Sequence, residues 1–131
     1  MYNRAIDISL LLLRIGFGGL MIANHGWPKF MRFFNGDPSS FGDPIGLGPE
    51  ISLGLAVFAE LFCAIMVVFG FFTRAALVPL MITMLVAFIM VKGGDLFGEG
   101  ELPLVFFIPY LALFIAGPGW YSIDGRFRNK I

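Results

Sequence analysis

The feature that most constrains this chain is a set of four long apolar runs that contain few or no charges. The run from Ile51 to Phe72, for example, carries a single charged residue, Glu60. A helix needs roughly 20 apolar residues to cross the hydrocarbon core of a bilayer, and about 17 suffice. The runs therefore predict four transmembrane helices, over residues 6–23, 51–72, 75–91 and 102–116.

The low content of charged residues supports this prediction. Asp, Glu, Lys and Arg make up 14% of the chain, whereas soluble domains carry about 25%. A water-soluble fold could not cover its surface with so few charges, but a bilayer can solvate the apolar remainder. We therefore predict an all-α fold, in which residues 1–131 form one transmembrane four-helix bundle.

A proline sets the predicted end of the first helix. The residue before a proline is pushed out of the helical region, so Trp27–Pro28, preceded by Gly26, predicts that the helix ends near Ala23. Residues 24–50 are then an outer loop. Within this loop, residues 30–34 form either a short interfacial helix or irregular structure.

Basic residues at the ends of the runs predict the orientation. They are Arg4, Arg74, Arg126, Arg128 and Lys130 at one end, and Lys29, Arg32 and Lys92 at the other. Cytoplasmic ends carry the excess of Lys and Arg. We therefore expect a multi-pass protein of the inner, cytoplasmic membrane, with both termini and a tail of residues 117–131 in the cytoplasm.

Two charged residues fall inside the predicted spans. A charge at the bilayer centre costs roughly 2.5–3.5 kcal/mol on insertion scales and defaults to a pairing or functional hypothesis. Counted inward at about 1.5 Å per residue, Arg14 and Glu60 lie at similar depth on sequential helices. We predict an Arg14–Glu60 ion pair in the bundle interior. It either only fixes the helix register or lines a cavity for a polar headgroup or a proton-coupled substrate.

His25 and Lys29 lie where the first span reaches the outer surface. A histidine in this place could exchange protons or hold a quinone oxygen, or it could simply bond carbonyls and water at a helix end. Thr83 and Tyr110 are candidates for extending the polar network. A back-bonded threonine and an interface-directed tyrosine are their simpler interpretations.

Other classes of function find little support in the sequence. The net charge is zero, with nine basic and nine acidic residues, which argues against a nucleic-acid footprint. One cysteine, Cys63, and one histidine exclude an internal disulfide and a multi-histidine metal site. No motif for a tightly held flavin, haem, metal or nucleotide occurs, so no tightly bound cofactor is predicted.

Four motifs, in order and in the right spans, resemble the DoxX family of small integral membrane proteins. They are Arg14…Gly18…His25-Gly26-(x)2-Lys29, the intramembrane acid Glu60, Gly70-(x)2-Thr73-Arg74-Ala75-Ala76, and Gly117-Pro118-Gly119-Trp120-Tyr121-Ser122-(x)-Asp124. The resemblance covers almost the whole chain. It implies four membrane helices and an association with membrane redox chemistry. Relatives include a subunit of a thiosulfate:quinone oxidoreductase, and others act with superoxide dismutase and a sulfurtransferase in oxidative defence.

The leading hypothesis is the membrane subunit of a quinone-linked oxidoreductase or oxidative-defence system, with a quinone bound at Arg14, Glu60, His25 and Lys29. The alternatives are a non-catalytic anchor or assembly factor for soluble redox partners, and a small lipid- or solute-handling protein. Membrane lipid, a quinone, a soluble redox protein and further copies of the chain are the expected partners. Any redox cofactor would come from another polypeptide.

Overall fold

A computed structural model describes residues 4–36, 46–91, 98 and 100–127. All regular secondary structure in these ranges is helical, which confirms the all-α prediction. The α-helices are α1 (Arg4–Met21), α2 (Trp27–Asn35), α3 (Pro49–Val57), α4 (Ala64–Phe69), α5 (Thr73–Val86), α6 (Glu101–Ala116) and α7 (Ile123–Phe127). Three π-helical turns accompany them, at Ile22–Gly26, Phe58–Cys63 and Ala87–Val91.

The π-helical turns combine these elements into four long helices. The first helix comprises α1, a π turn and α2, the second comprises α3, a π turn and α4, the third is α5 with its π-helical end, and the fourth is α6. Arg4–Phe34 and Pro49–Phe69 are long and apolar enough to cross a membrane, by length and composition. Thr73–Ile89 and Glu101–Ala116 are shorter apolar helices.

Each long helix packs against the next, and the fourth packs against the first. Thus α1 contacts α4 and α6, while α5 contacts α4 and α6. The interior is apolar, with fully buried side chains on every helix: Met21, Leu53, Val67, Leu77, Leu80, Tyr110 and Leu113. The outward faces are apolar as well, and expose Leu12, Leu20, Phe58, Phe62, Ile82, Ile89, Ile108 and Ile115, among others.

The first helix does not end near Ala23, as the proline predicted, but continues to Asn35. In the π turn before α2, the amide of Trp27 donates to the carbonyl of Ile22, five residues back. After this turn a new α-helical segment begins, with Pro28 in its first turn. The missing N–H of proline is tolerated at the start of a helix, because the first N–H groups have no partner within the helix. Residues 30–34 are accordingly helical and belong to α2, whereas residues 37–45 of the predicted loop lie outside the described residues.

The end of the bundle that contains the start of α1 is closed by the chain's C-terminal segment. Gly70, in the left-handed conformation, ends α4, and Gly117, also with positive φ, ends α6. Residues 117–127 then fold back onto the bundle, where the amide of Trp120 donates to Asp7 Oδ1 of α1 over 3.0 Å. The predicted tail is thus packed as far as residue 127, and residues 128–131 lie outside the described part.

Candidate functional site

Two π-helical turns face each other in the bundle, one on the first helix and one on the second. Gly26 closes the first turn and is buried against the backbone of Glu60 in the second. A Cβ atom on Gly26 would overlap the Glu60 carbonyl oxygen and crowd the Leu61 backbone. Only glycine permits this approach, and the contact sets the register of the two helices. Single-turn π segments inside α-helices are frequent at functional sites.

A partly buried ion pair joins the second turn to the start of α2, just beyond the first turn. Lys29 Nζ lies 2.6 Å from Glu60 Oε1 and 2.7 Å from Oε2, so that one ammonium group donates to both carboxylate oxygens. The Glu60 side chain is 1% exposed and the Lys29 side chain 26%. The carboxylate is therefore enclosed, and the ammonium group connects it with the surroundings of the bundle.

His25 lies one helical turn before Lys29 on the first helix. Residues four apart share a helix face, so His25 and Lys29 lie on the same side of this helix. The half-buried ring makes an edge-to-face contact with Phe106 of α6, with centroids 5.5 Å apart and an interplanar angle of 81°. The first and fourth helices thus meet at His25. We call Lys29, Glu60 and His25 the polar cluster.

Aromatic side chains surround the polar cluster on its inner side. Phe106 contacts Phe17 edge to face, with centroids 5.9 Å apart, and lies 6.1 Å from Tyr110. Tyr110 is fully buried, and its hydroxyl donates to the Phe17 carbonyl over 3.0 Å. The interpretation of Tyr110 as an interface-directed residue is therefore wrong.

The predicted Arg14–Glu60 ion pair is wrong. Arg14 is buried, but its Nη1 donates to the carbonyls of Val68 over 2.9 Å and Val67 over 3.3 Å, and its Nη2 donates to the Tyr121 carbonyl. Glu60 is level with Gly26, which lies about 18 Å beyond Arg14 along the helix. The depth estimate failed because it took the starts of the apolar runs as the membrane boundaries. In the structure, the Gly26–Glu60 contact fixes the register instead.

Arg14 belongs to a second polar group, which holds the C-terminal segment. Its bonds to Val67 and Val68 satisfy carbonyls at the end of α4, a common role for arginine at a helix C-terminus. Arg74 does the same for α6, donating to the carbonyls of Phe114 over 2.8 Å and Ile115 over 3.2 Å. Both arginines are thus structural caps.

Asp124 and Ser122 bind backbone groups at the same end of the bundle. Asp124 Oδ2 accepts from the amide and the hydroxyl of Thr73, each over 2.8 Å, at the first turn of α5. Ser122 Oγ donates to the Gly119 carbonyl over 2.7 Å and accepts from the Gly125 amide over 2.9 Å. This network was not predicted, because its partners are mostly backbone groups that no sequence pattern marks. The Gly-Pro-Gly motif indicated only a helix end.

Two further residues named in the sequence analysis, Thr83 and Cys63, lie within helices. The Thr83 hydroxyl donates to the Pro79 carbonyl one turn earlier over 2.8 Å, as a back-bonded threonine does. Cys63 is free and buried. Within the described ranges, no three His, Cys, Asp or Glu side chains come together as metal ligands.

The polar cluster combines three chemical abilities. Neutral imidazole offers one hydrogen-bond donor and one acceptor, a carboxylate offers only acceptors, and an ammonium offers only donors. Imidazole also takes up and releases protons near neutral pH. The cluster can therefore hold a small polar group against the Phe106 ring and exchange protons with it.

Comparison with known proteins places these features in a family. The DoxX family model matches residues 9–93, which include both π turns of the site and the whole polar cluster. An uncharacterized protein of Haemophilus influenzae is 32% identical over an alignment of 131 positions, which covers 92% of this chain and 92% of that protein. No solved structure matches the chain. The extent of these matches shows that the chain belongs to the DoxX family.

Proposed function

We propose that the four long helices cross the inner, cytoplasmic membrane and that both termini lie on the cytoplasmic side. Two observations support this. Large apolar side chains are exposed on all four helices, a surface that water would not solvate but lipid would. Arg4, Arg74 and Arg126 lie together at the end closed by the C-terminal segment and are exposed there, as the positive-inside rule expects of a cytoplasmic end.

Within this bundle, we propose that the polar cluster binds the headgroup of a quinone. The charges of Lys29 and Glu60 cancel across their 2.6 Å contact, so the pair has no net charge. A neutral headgroup therefore fits better than an anionic one. A quinone ring is flat, neutral and equipped with carbonyl acceptors. His25 would donate to one of these oxygens, and the edge-on neighbour Phe106 would contact the ring.

A bound quinone would supply an acceptor for two electrons and two protons. The chain's own part is to hold the headgroup and to move protons. His25, which contacts the Phe106 ring and lies one turn before Lys29, is the group suited to exchange them. Glu60 and Lys29 fix the local charge and the register of the two helices. A partner polypeptide would deliver the electrons, which makes this chain the membrane subunit of a quinone-linked oxidoreductase or oxidative-defence system.

The partly buried Lys29–Glu60 pair carries this proposal, since it lies next to the contact of two π turns and one helical turn from His25. Trp27 provides the test, because it lies between His25 and Lys29 in the sequence and its fluorescence is quenched by a nearby quinone. In the Trp120→Phe background, Trp27 is the remaining tryptophan. Titration of the purified protein with short-chain ubiquinone and menaquinone analogues should quench this emission saturably.

Matched variants make the test specific. His25→Leu removes the proposed donor and should weaken quinone binding at least tenfold. That factor corresponds to about 1.4 kcal/mol, the size of one hydrogen bond. Thr83→Val removes a polar group whose bond lies within its own helix and should leave binding unchanged. Linear, non-saturating quenching in every variant would contradict the proposal. If soluble redox proteins nevertheless co-purified, that result would favour the membrane-anchor alternative.

A further inference from the structure

The turn between the second and third helices presents two aromatic rings to the outside. Phe71 is 43% exposed and Phe72 is 60% exposed, and their ring centroids lie 4.5 Å apart. Phe72 adopts the left-handed backbone conformation, with φ of 47°. A residue with a Cβ atom pays a steric cost in this region, so such residues persist there only where the surroundings hold them.

The C-terminal segment holds Phe72 in place. Asp124 Oδ1 accepts from the Phe72 amide over 2.9 Å, while Oδ2 accepts from the Thr73 amide. The Asp124 amide in turn donates to the Gly70 carbonyl over 2.8 Å. A Cβ atom on Gly70 would overlap Ser122, so the turn and the segment are closely packed. The exposed position of the two rings is therefore built by the fold.

The charged groups around this turn are arranged asymmetrically. Arg4, Arg74 and Arg126 are exposed at this end of the bundle. The aspartates of the same end, within the described residues, accept from backbone amides: Asp7 from Trp120, and Asp124 from Phe72 and Thr73. The outward charge next to the aromatic turn is therefore positive.

The elements that adjoin the turn also expose apolar side chains. Phe69 is exposed in the last turn of α4, just before the turn, and Ile123 is exposed at the start of α7, next to Asp124. A soluble partner that covered the two rings would also have to cover side chains of the helix itself. A bilayer covers both surfaces at once.

We propose that Phe71 and Phe72 anchor this end of the bundle in the headgroup region of an anionic leaflet, with the neighbouring arginines bound to lipid phosphates. Aromatic rings favour this level of the bilayer, and basic residues are attracted to anionic lipid. The inference rests on the proposed membrane insertion and does not require quinone binding.

Depth-dependent quenching tests this anchor. Trp27→Phe and Trp120→Phe give a background without tryptophan, and Phe72→Trp places one reporter in the turn. The purified protein is reconstituted into vesicles of phosphatidylcholine, with or without phosphatidylglycerol, that contain lipids brominated near the headgroup or near the chain end. The emission of the turn reporter should be quenched more by the shallow bromines than by the deep ones. Phosphatidylglycerol should shift the emission to the blue and reduce quenching by acrylamide.

A second reporter separates the possible failures. Ile82→Trp, on the exposed face of the third helix about 14 Å from its start at Thr73, should be quenched most by the deep bromines. If it is not, membrane insertion itself is wrong, and the anchor with it. If position 82 behaves as expected but the turn reporter is quenched by acrylamide alone, the turn projects into water and is a surface for a soluble partner.

An emission that does not change with phosphatidylglycerol overturns the preference for anionic lipid. If Phe72→Trp does not fold, Phe71→Trp carries the same test, because Phe71 does not have the positive φ of its neighbour Phe72.

Discussion

Replacement of Lys29 by methionine would leave the Glu60 carboxylate enclosed without its cation. Among the described residues, the hydrogen bonds of this carboxylate, which is 1% exposed, are the two to Lys29, of 2.6 and 2.7 Å. Removal of one partner from a buried pair costs about 3–5 kcal/mol of unfolding free energy. Because the Lys29 side chain is 26% exposed, the pair is only partly enclosed, and we expect a loss of about 3 kcal/mol, the lower end of this range.

Replacement of Glu60 instead of Lys29 should lower the unfolding free energy by less, because the Lys29 ammonium group can turn toward the surroundings of the bundle. We expect Glu60→Leu to lower the unfolding free energy by about 1 kcal/mol and the double variant to lower it by about 2 kcal/mol, since a buried pair is often replaced by apolar residues at small cost. Without interaction the single losses would sum to about 4 kcal/mol. The coupling energy of the pair is then about 2 kcal/mol.

The chain contains its own reporter for this measurement. Cys63, the sole cysteine, is 2% exposed in the folded protein, so a thiol-reactive fluorogenic dye labels it only after unfolding. Titration of the detergent-solubilised protein with sodium dodecyl sulfate, followed by this labelling, gives the unfolding free energy of each variant. Helical circular dichroism checks that the same transition is observed.

A second cycle provides the control. Arg14→Met combined with Glu60→Leu should be additive within about 0.5 kcal/mol, because distant sites do not couple. Additivity in the Lys29–Glu60 cycle, or coupling above about 1 kcal/mol in the Arg14–Glu60 cycle, would refute the pairing described here.

Three further predictions use the same unfolding assay. Gly26→Ala should cost about 3 kcal/mol, because its Cβ would overlap the Glu60 backbone. Gly19→Ala, which meets nothing within 4 Å, should be neutral or stabilise by up to about 1 kcal/mol; equal effects at the two glycines would contradict the contact. Arg14→Gln should lower the unfolding free energy by about 3 kcal/mol through its lost carbonyl bonds, and the quinone affinity of the folded protein should not change. A loss of affinity without a loss of stability would show that Arg14 takes part in quinone binding. Asp124→Ala should cost about 1–2 kcal/mol as a lost helix cap, and an unchanged unfolding free energy would show that the cap contributes nothing.

The sequence predicted the helices well where hydropathy determines them. The third and fourth apolar runs correspond closely to Thr73–Val86, with its π-helical end, and to Glu101–Ala116. The first helix was predicted too short because Pro28 usually ends a helix. A π turn that accommodates the proline has no recognisable pattern of its own, since it depends on the tertiary contact of Gly26 with Glu60.

The candidate site could be predicted in part. His25, Lys29 and Glu60 were recognised because polar residues near or within apolar spans are costly, and the structure pairs Lys29 with Glu60 one turn after His25. The choice of Arg14 as the partner of Glu60 rested on depth alone, which fixes neither the register nor the facing side of two helices. The spacing of four between His25 and Lys29 places both on one face, but a spacing within one helix does not identify a partner on another. The partners of Arg14 are backbone carbonyls, and the sequence cannot identify them because every residue carries a backbone carbonyl.

Quinone binding at the polar cluster of Lys29, Glu60 and His25 can be measured by native mass spectrometry. The protein is extracted gently from its own membrane, and the small molecules that remain bound are identified. We expect one quinone per chain, lost in His25→Leu and retained in Thr83→Val. Ordinary phospholipid as the only bound small molecule, or a quinone that remains bound in His25→Leu, would contradict it.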